Sequence, residues 1–154
     1  MNDDIVVIGI GNELQGDDGF GVHAARYLRC RVPAGVEVIE GSTHAPDLLP
    51  FLEERRLALF IDSIEAGEEP GTIFRFTPDE LKPSAHRPVT LHDFGLFELL
   101  AAAKLLGREP DEVVILAVQV EELGVGMTLS PRVAKSLPRV AELVMGEVER
   151  MSGG

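Results

Sequence analysis

The chain has 154 residues, 45% of them hydrophobic, which is the size of one domain with a sizeable core, so residues 1–154 are read as a single domain. Its net charge of -12 excludes general attraction to nucleic acid or anionic lipid, since both recruit clustered Lys and Arg. No apolar run approaches the roughly 18 residues of a membrane span. MNDDIVV also carries no basic segment ahead of an apolar one, so a cytoplasmic protein is expected. Cys30 is the single cysteine and cannot form an internal disulfide; it falls in an apolar-periodic stretch and is expected as a partly buried thiol, not a nucleophile.

Ile5 to Ile10 is a β-branched apolar run that fits a strand buried on both faces. The stretch Gly9 to Gly21, GIGNELQGDDGFG, follows and places a glycine-punctuated turn and two carboxylates at that strand's carboxyl end, the edge where open α/β sheets bind ligands. A dinucleotide fingerprint would need a glycine at position 14, which is Leu14, and Gly16 comes two residues late. Asp17 and Asp18 would also repel a pyrophosphate at a helix N-terminus. An alternative reading is that Asp17 caps the next helix while Asp18 favours its dipole.

From Asp17 onward, Phe20, Ala24, Leu28 and Val32 recur at helical spacing, and Pro33 and Gly35 end that helix. Val36 to Glu40 reads as the second strand. The segment after it, GSTHAPDLLPFLEE, begins as loop and becomes a short helix limited by Pro46 and Pro50. Leu57 to Ile61 is a third buried strand, and Asp62 is expected at its terminus, ahead of Ser63 and EAGEEPG. Gly71 to Phe76 reads as a further strand, and Thr77 to Glu80 has the pattern of a capping box with proline in the first turn.

The stretch KPSAHRPVTL reads as loop. Beyond it Leu96, Leu99, Leu100, Ala103 and Leu106 mark a helix, with His92 and Asp93 at its start. Val113 to Val118 is the last strong strand. Val133, Leu137, Val140, Val144, Val148 and Met151 form a closing helical stripe, expected to kink at Pro138. Alternation of strands and helices predicts an α/β fold, a three-layer sandwich with a mainly parallel twisted sheet and helices on both faces.

Asp18, Asp62 and His92 each fall in a region that follows a predicted strand, and a parallel sheet gathers such regions at one edge. Two carboxylates and an imidazole offer oxygen and nitrogen donors suited to a divalent ion such as nickel or zinc, with positions left for substrate. The same three groups could also perform acid/base work. Asp17 competes with Asp18, because one residue of helical rotation, about 100 degrees, decides which carboxylate faces the cleft. His44 is the substitute imidazole, whereas His23 reads as a helix residue, His86 as a solvated one and Asp93 as a cap. Ser42, Ser63 and Ser84 lack the Gly-x-Ser-x-Gly setting of a nucleophile elbow.

GIGNELQGDDGFG, the strand ending LFIDS, the segment TLHDFGLFELL, the strand VVILAVQVEEL and the segment GMTLSP occur in an order that resembles the hydrogenase maturation endopeptidases. The resemblance spans Ile5 to about Val148. It implies a sheet of about five strands flanked by helices. It also implies an endopeptidase that removes the C-terminal extension of a [NiFe] hydrogenase large-subunit precursor after nickel insertion. Carried over residue by residue, the metal-contacting groups are Asp18, Asp62 and His92, with nickel arriving on the precursor and not held permanently. Some relatives carry glutamate where Asp18 stands, a side chain one methylene longer. Two competing readings are a noncatalytic nickel-sensing chaperone for the same precursor and a doubly wound small-molecule binder using the Gly9 to Gly16 loop. The three site residues are expected to be exposed in the cleft.

Overall fold

The computed structural model describes residues 3–41, 45–81, 90–91, 96–121 and 126–152. Six strands form one sheet: β1 (Ile5–Gly9), β2 (Val36–Glu40), β3 (Leu57–Glu65), β4 (Ile73–Phe76), β5 (Thr90–Leu91) and β6 (Glu112–Gln119). The helices are α1 (Phe20–Arg29), α2 (Leu96–Leu105), α3 (Pro131–Ala134) and α4 (Leu137–Ser152). Strand order is β2-β1-β3-β6-β4, with β5 paired to the end of β3. β2, β1, β3 and β6 run parallel, while β4 and β5 pair antiparallel to their neighbours. Five strands in a row with helices on both faces agree with the expected α/β sandwich.

Strict alternation along the central strands divides the core into two layers. Val7, Leu57, Leu59, Ile61, Val114 and Leu116 pack toward α1 and α4, against Phe20, Leu28, Val140 and Val144. Val6, Ile8, Ala58, Phe60 and Ile115 pack the other way, against Leu48 of the 3-10 helix Ala45–Phe51, Leu52 just after it, and Leu96, Leu99 and Ala103 of α2. Among the described residues no helix is long and apolar enough to cross a membrane.

The amphipathic start of α1 lies directly on the sheet because Gly9 and Gly21 leave out their side chains. A Cβ on Gly9 would stand 1.9 Å from the Gly21 carbonyl oxygen, and one on Gly21 would stand 2.2 Å from that of Ile10 and 2.3 Å from that of Ile61. This backbone contact holds the β1 turn and the helix it feeds against the middle of β3.

Several local expectations shift. β3 does not stop at Asp62; it runs on to Glu65, because pairing with β6 continues to Ile64 opposite Gln119 and β5 adds a partner at Ile64 and Glu65. The Glu80 half of the capping box forms, with the Thr77 N–H and hydroxyl both donating to Glu80 Oε1 at 3.0 and 3.1 Å, while the Glu80 N–H donates to the Thr77 carbonyl at 3.0 Å. The closing helical stripe is two helices, not one kinked at Pro138. The helix is interrupted by a turn at Lys135 and Ser136, and Pro138 falls in the first turn of α4, where a missing N–H costs nothing. Cys30 lies just past α1 and is exposed, not partly buried, because the helix ends before the thiol can turn to the sheet.

Candidate functional site

β1 ends at Gly9, level with Glu40 of β2 and Ile61 of β3. Ile10 N–H makes one more bond to the Ile61 carbonyl at 2.9 Å, and the chain then leaves the sheet. Past Ile61, β3 has therefore lost its β1 neighbour while keeping β6. From β1 the chain continues to β2 on one side, and from β3 it continues toward β6 on the other. The crevice between β1 and β3 is thus the point where strand order reverses, the location at which open α/β sheets hold ligands. Asp62 is the first residue of β3 beyond that point.

The glycine-rich loop returns to the same crevice as a single 3-10 turn, Asp17–Gly19, which packs on β3. Gly11, at φ +144, permits this return: a Cβ there would meet the Asp18 carbonyl oxygen at 2.2 Å. Asn12 N–H donates to that carbonyl at 3.3 Å, and Asp18 N–H donates to Gln15 at 3.2 Å. In a 3-10 turn, neighbouring side chains diverge by about 120 degrees, so Asp17 and Asp18 face different surroundings.

Asp17 faces the crossover that follows β6. Its Oδ1 accepts the Ser130 N–H at 2.7 Å, and its Oδ2 accepts the Glu121 N–H at 2.9 Å together with the Ser130 hydroxyl. It is neither the cap of α1, whose N-cap position is Gly19 without a side-chain bond, nor open to the crevice. Asp18 lies toward β3. Its charge is felt by Asp62, whose carboxyl is held well above the usual carboxylate range. Burial is the main cause; the Ser63 N–H, donating to Asp62 Oδ1 at 2.7 Å, opposes it, and the negative charge of Asp18 adds to it.

Asp18 and Asp62 both lie at the β1–β3 crevice, in a buried position. Asp18 is 2% exposed and Asp62 is completely covered, in contrast to the exposed cleft the sequence suggested. The physical reason is the continuation of β3 past Asp62 and the crossover lying on Asp17, which together cover the strand ends. His92, the third candidate, lies outside the described residues, as do His44 and His86. The described chain does end next to it: Leu91 pairs with Ile64, two residues beyond Asp62, and α2 opens at Leu96. His23 sits within α1, as read. Among the described residues no three acidic, histidine or cysteine side chains form a metal-holding group.

Ser130 and the Glu121 amide were missed by sequence reasoning as partners of the acidic motif. Only the Ser-Pro pair opening α3 hinted that Ser130 had a local role. Beside the site, Gly11, Asn12, Glu13, Leu14, Val22, Glu40 and Gly41 line a groove of about 400 Å³. Its charged side chains are Glu13 and Glu40, both paired with Arg26, and Glu40 pairs with Arg29 as well.

A doubly wound α/β domain with a buried carboxylate pair at its switch point is the class these observations define. The chain belongs to the hydrogenase maturation protease family: the HycI model of that family matches residues 22–147, a span that includes Asp62 and His92 and begins just after Asp18. The hydrogenase expression/formation protein HupD of Rhodobacter capsulatus is 33% identical over 145 residues, covering 91% of this chain and 69% of that longer protein. A Methanocaldococcus jannaschii relative of matching length is 33% identical over 153 residues, covering 96% of this chain and 97% of its own. Among solved structures, the hydrogenase maturating endopeptidase HybD from E. coli superposes with a TM-score of 0.84 at 26% identity, over 98% of this chain and 94% of that one. The matched stretch is shorter in other relatives, where the chain spans 62% of the length of the Bradyrhizobium HupD and 59% of that of the Azotobacter vinelandii HoxM.

Proposed function

We propose that this protein is the endopeptidase that trims the C-terminal extension from a nickel-loaded [NiFe] hydrogenase large-subunit precursor, and that Asp18, Asp62 and His92 receive the precursor's nickel. The observation that carries the reading is the placement of two buried aspartates, Asp62 on β3 and Asp18 in the turn packed on it, at the β1–β3 crevice of a chain of the hydrogenase maturation protease family. Two carboxylates and an imidazole suit a borderline divalent ion and leave coordination positions for the precursor's own ligands. The entry of β5 beside Ile64 supports His92 as the nitrogen donor, since His92 is the next residue after Leu91.

In this reading nickel is part of the substrate. Docking the metal converts a mobile tail into a positioned one, so that proximity contributes to cleavage and an unloaded precursor is passed over. In this reading the metal arrives with the precursor, need not occupy the free protein, and leaves with the product.

The test is to incubate the protein with nickel-loaded and with nickel-free precursor and to follow the precursor's mass. Shortening of the loaded form alone is expected. Shortening of neither form would favour a nickel-sensing chaperone, and shortening of both would remove nickel from the recognition step.

A further inference from the structure

Resting on that reading, we infer that Asp17 is a positioning residue for Asp18: it locks the rotation of the 3-10 turn so that the Asp18 carboxylate is aimed at the crevice before substrate arrives. Asp17 is 1% exposed, and both of its oxygens are engaged by the crossover after β6. The bond to Glu121 fixes the start of that crossover and the bonds to Ser130 fix its end. A second tie lies between them. Gly16 N–H donates to the Gly126 carbonyl at 2.8 Å and Gly126 N–H donates to Leu14 at 3.0 Å, so Gln15 and Gly126 form a short parallel bridge.

The acidic turn is thus held against the crossover by a backbone bridge and a buried carboxylate. Because a 3-10 turn advances about 120 degrees per residue, fixing the direction of Asp17 fixes the direction of Asp18. A carboxylate accepting two backbone N–H groups and a hydroxyl is also matched by no other side chain: an amide at that place would set an N–H against one of the crossover's N–H donors. The acidic pair divides its labour, with one aspartate holding the turn and its neighbour meeting the metal.

The experiment measures steady-state processing of nickel-loaded precursor by the full chain and by Asp17→Asn and Ser130→Ala. Asp17→Asn is expected to raise KM about tenfold with kcat within about threefold, since a less well aimed Asp18 weakens docking and not the step after it. Ser130→Ala, which removes the hydroxyl and keeps the N–H, is expected to raise KM about threefold, and the double variant to be no worse than Asp17→Asn alone because the two share one interaction. A purely structural role would lower the melting temperature and the active fraction, hence apparent kcat, and leave KM in place. An unchanged KM in Asp17→Asn would overturn the inference while wild-type processing upheld the function. Absence of wild-type processing would overturn both. Should Asp17→Asn not fold, Ser130→Ala decides, and an unchanged KM there contradicts the positioning role.

Discussion

The carboxyl of Asp62 takes up its proton more readily than an ordinary aspartate because it is fully covered and because Asp18 stands close enough for its charge to be felt. A carboxyl raised in this way contributes stability that is complete below its unfolded value of 3.8 and is lost as pH rises through the folded value. Asp62→Asn keeps the volume and removes the titration. Its melting temperature should therefore match the parent near pH 3.8 and exceed it increasingly as pH rises. Parallel melting curves across the series would contradict this.

Processing should move in the opposite direction. Metal contact requires the ionised carboxylate, so the rate on nickel-loaded precursor is expected to climb with pH through the folded value of Asp62. A rate profile at constant nickel loading of the precursor checks this, and a rate already flat from acidic pH upward would count against Asp62 as a ligand.

Gly21 and Gly146 are both helical glycines with opposite expected outcomes. Alanine at Gly21 would drive a methyl into the carbonyl oxygens of Ile10 and Ile61, and a loss of at least about 3 kcal/mol is expected. Alanine at Gly146, exposed in α4 with nothing within 4 Å, should gain about 0.5–1 kcal/mol. Urea unfolding of the two variants reads both values.

Arg55 provides a control remote from the crevice. Its guanidinium is nearly buried, donates to the carbonyls of Phe51 at 3.0 Å and Asp3 at 2.8 Å, and pairs with Glu37. Arg55→Ala removes two part-buried hydrogen bonds and an ion pair together with the packing of a buried side chain, and should cost about 1–3 kcal/mol. At a temperature where the variant remains folded, processing per folded molecule should equal that of the parent.

The parallel strands were legible because burial on both faces leaves an unbroken apolar run, as in Ile5 to Ile10 and Leu57 to Ile61. The same criterion hid the end of β3. Asp62, Ser63 and Glu65 are polar, so the run stops, yet hydrogen bonding to β6 and β5 carries the strand on through residues whose polarity belongs to the site. Asp62 was found by its place after an apolar run, and Asp18 by its place in a glycine-rich turn. What could not be read was which of two adjacent aspartates faces the crevice. That choice is made by Glu121 and Ser130, more than a hundred residues downstream, and largely by backbone N–H groups, which every residue except proline possesses.

The most direct measurement is the mass of nickel-loaded precursor after incubation with Asp18→Asn, Asp62→Asn and His92→Ala, each first shown by circular dichroism to be folded. The account predicts that all three leave the precursor at full length while the parent shortens it. A folded Asp62→Asn variant that trims the precursor at the parental rate would contradict the central claim.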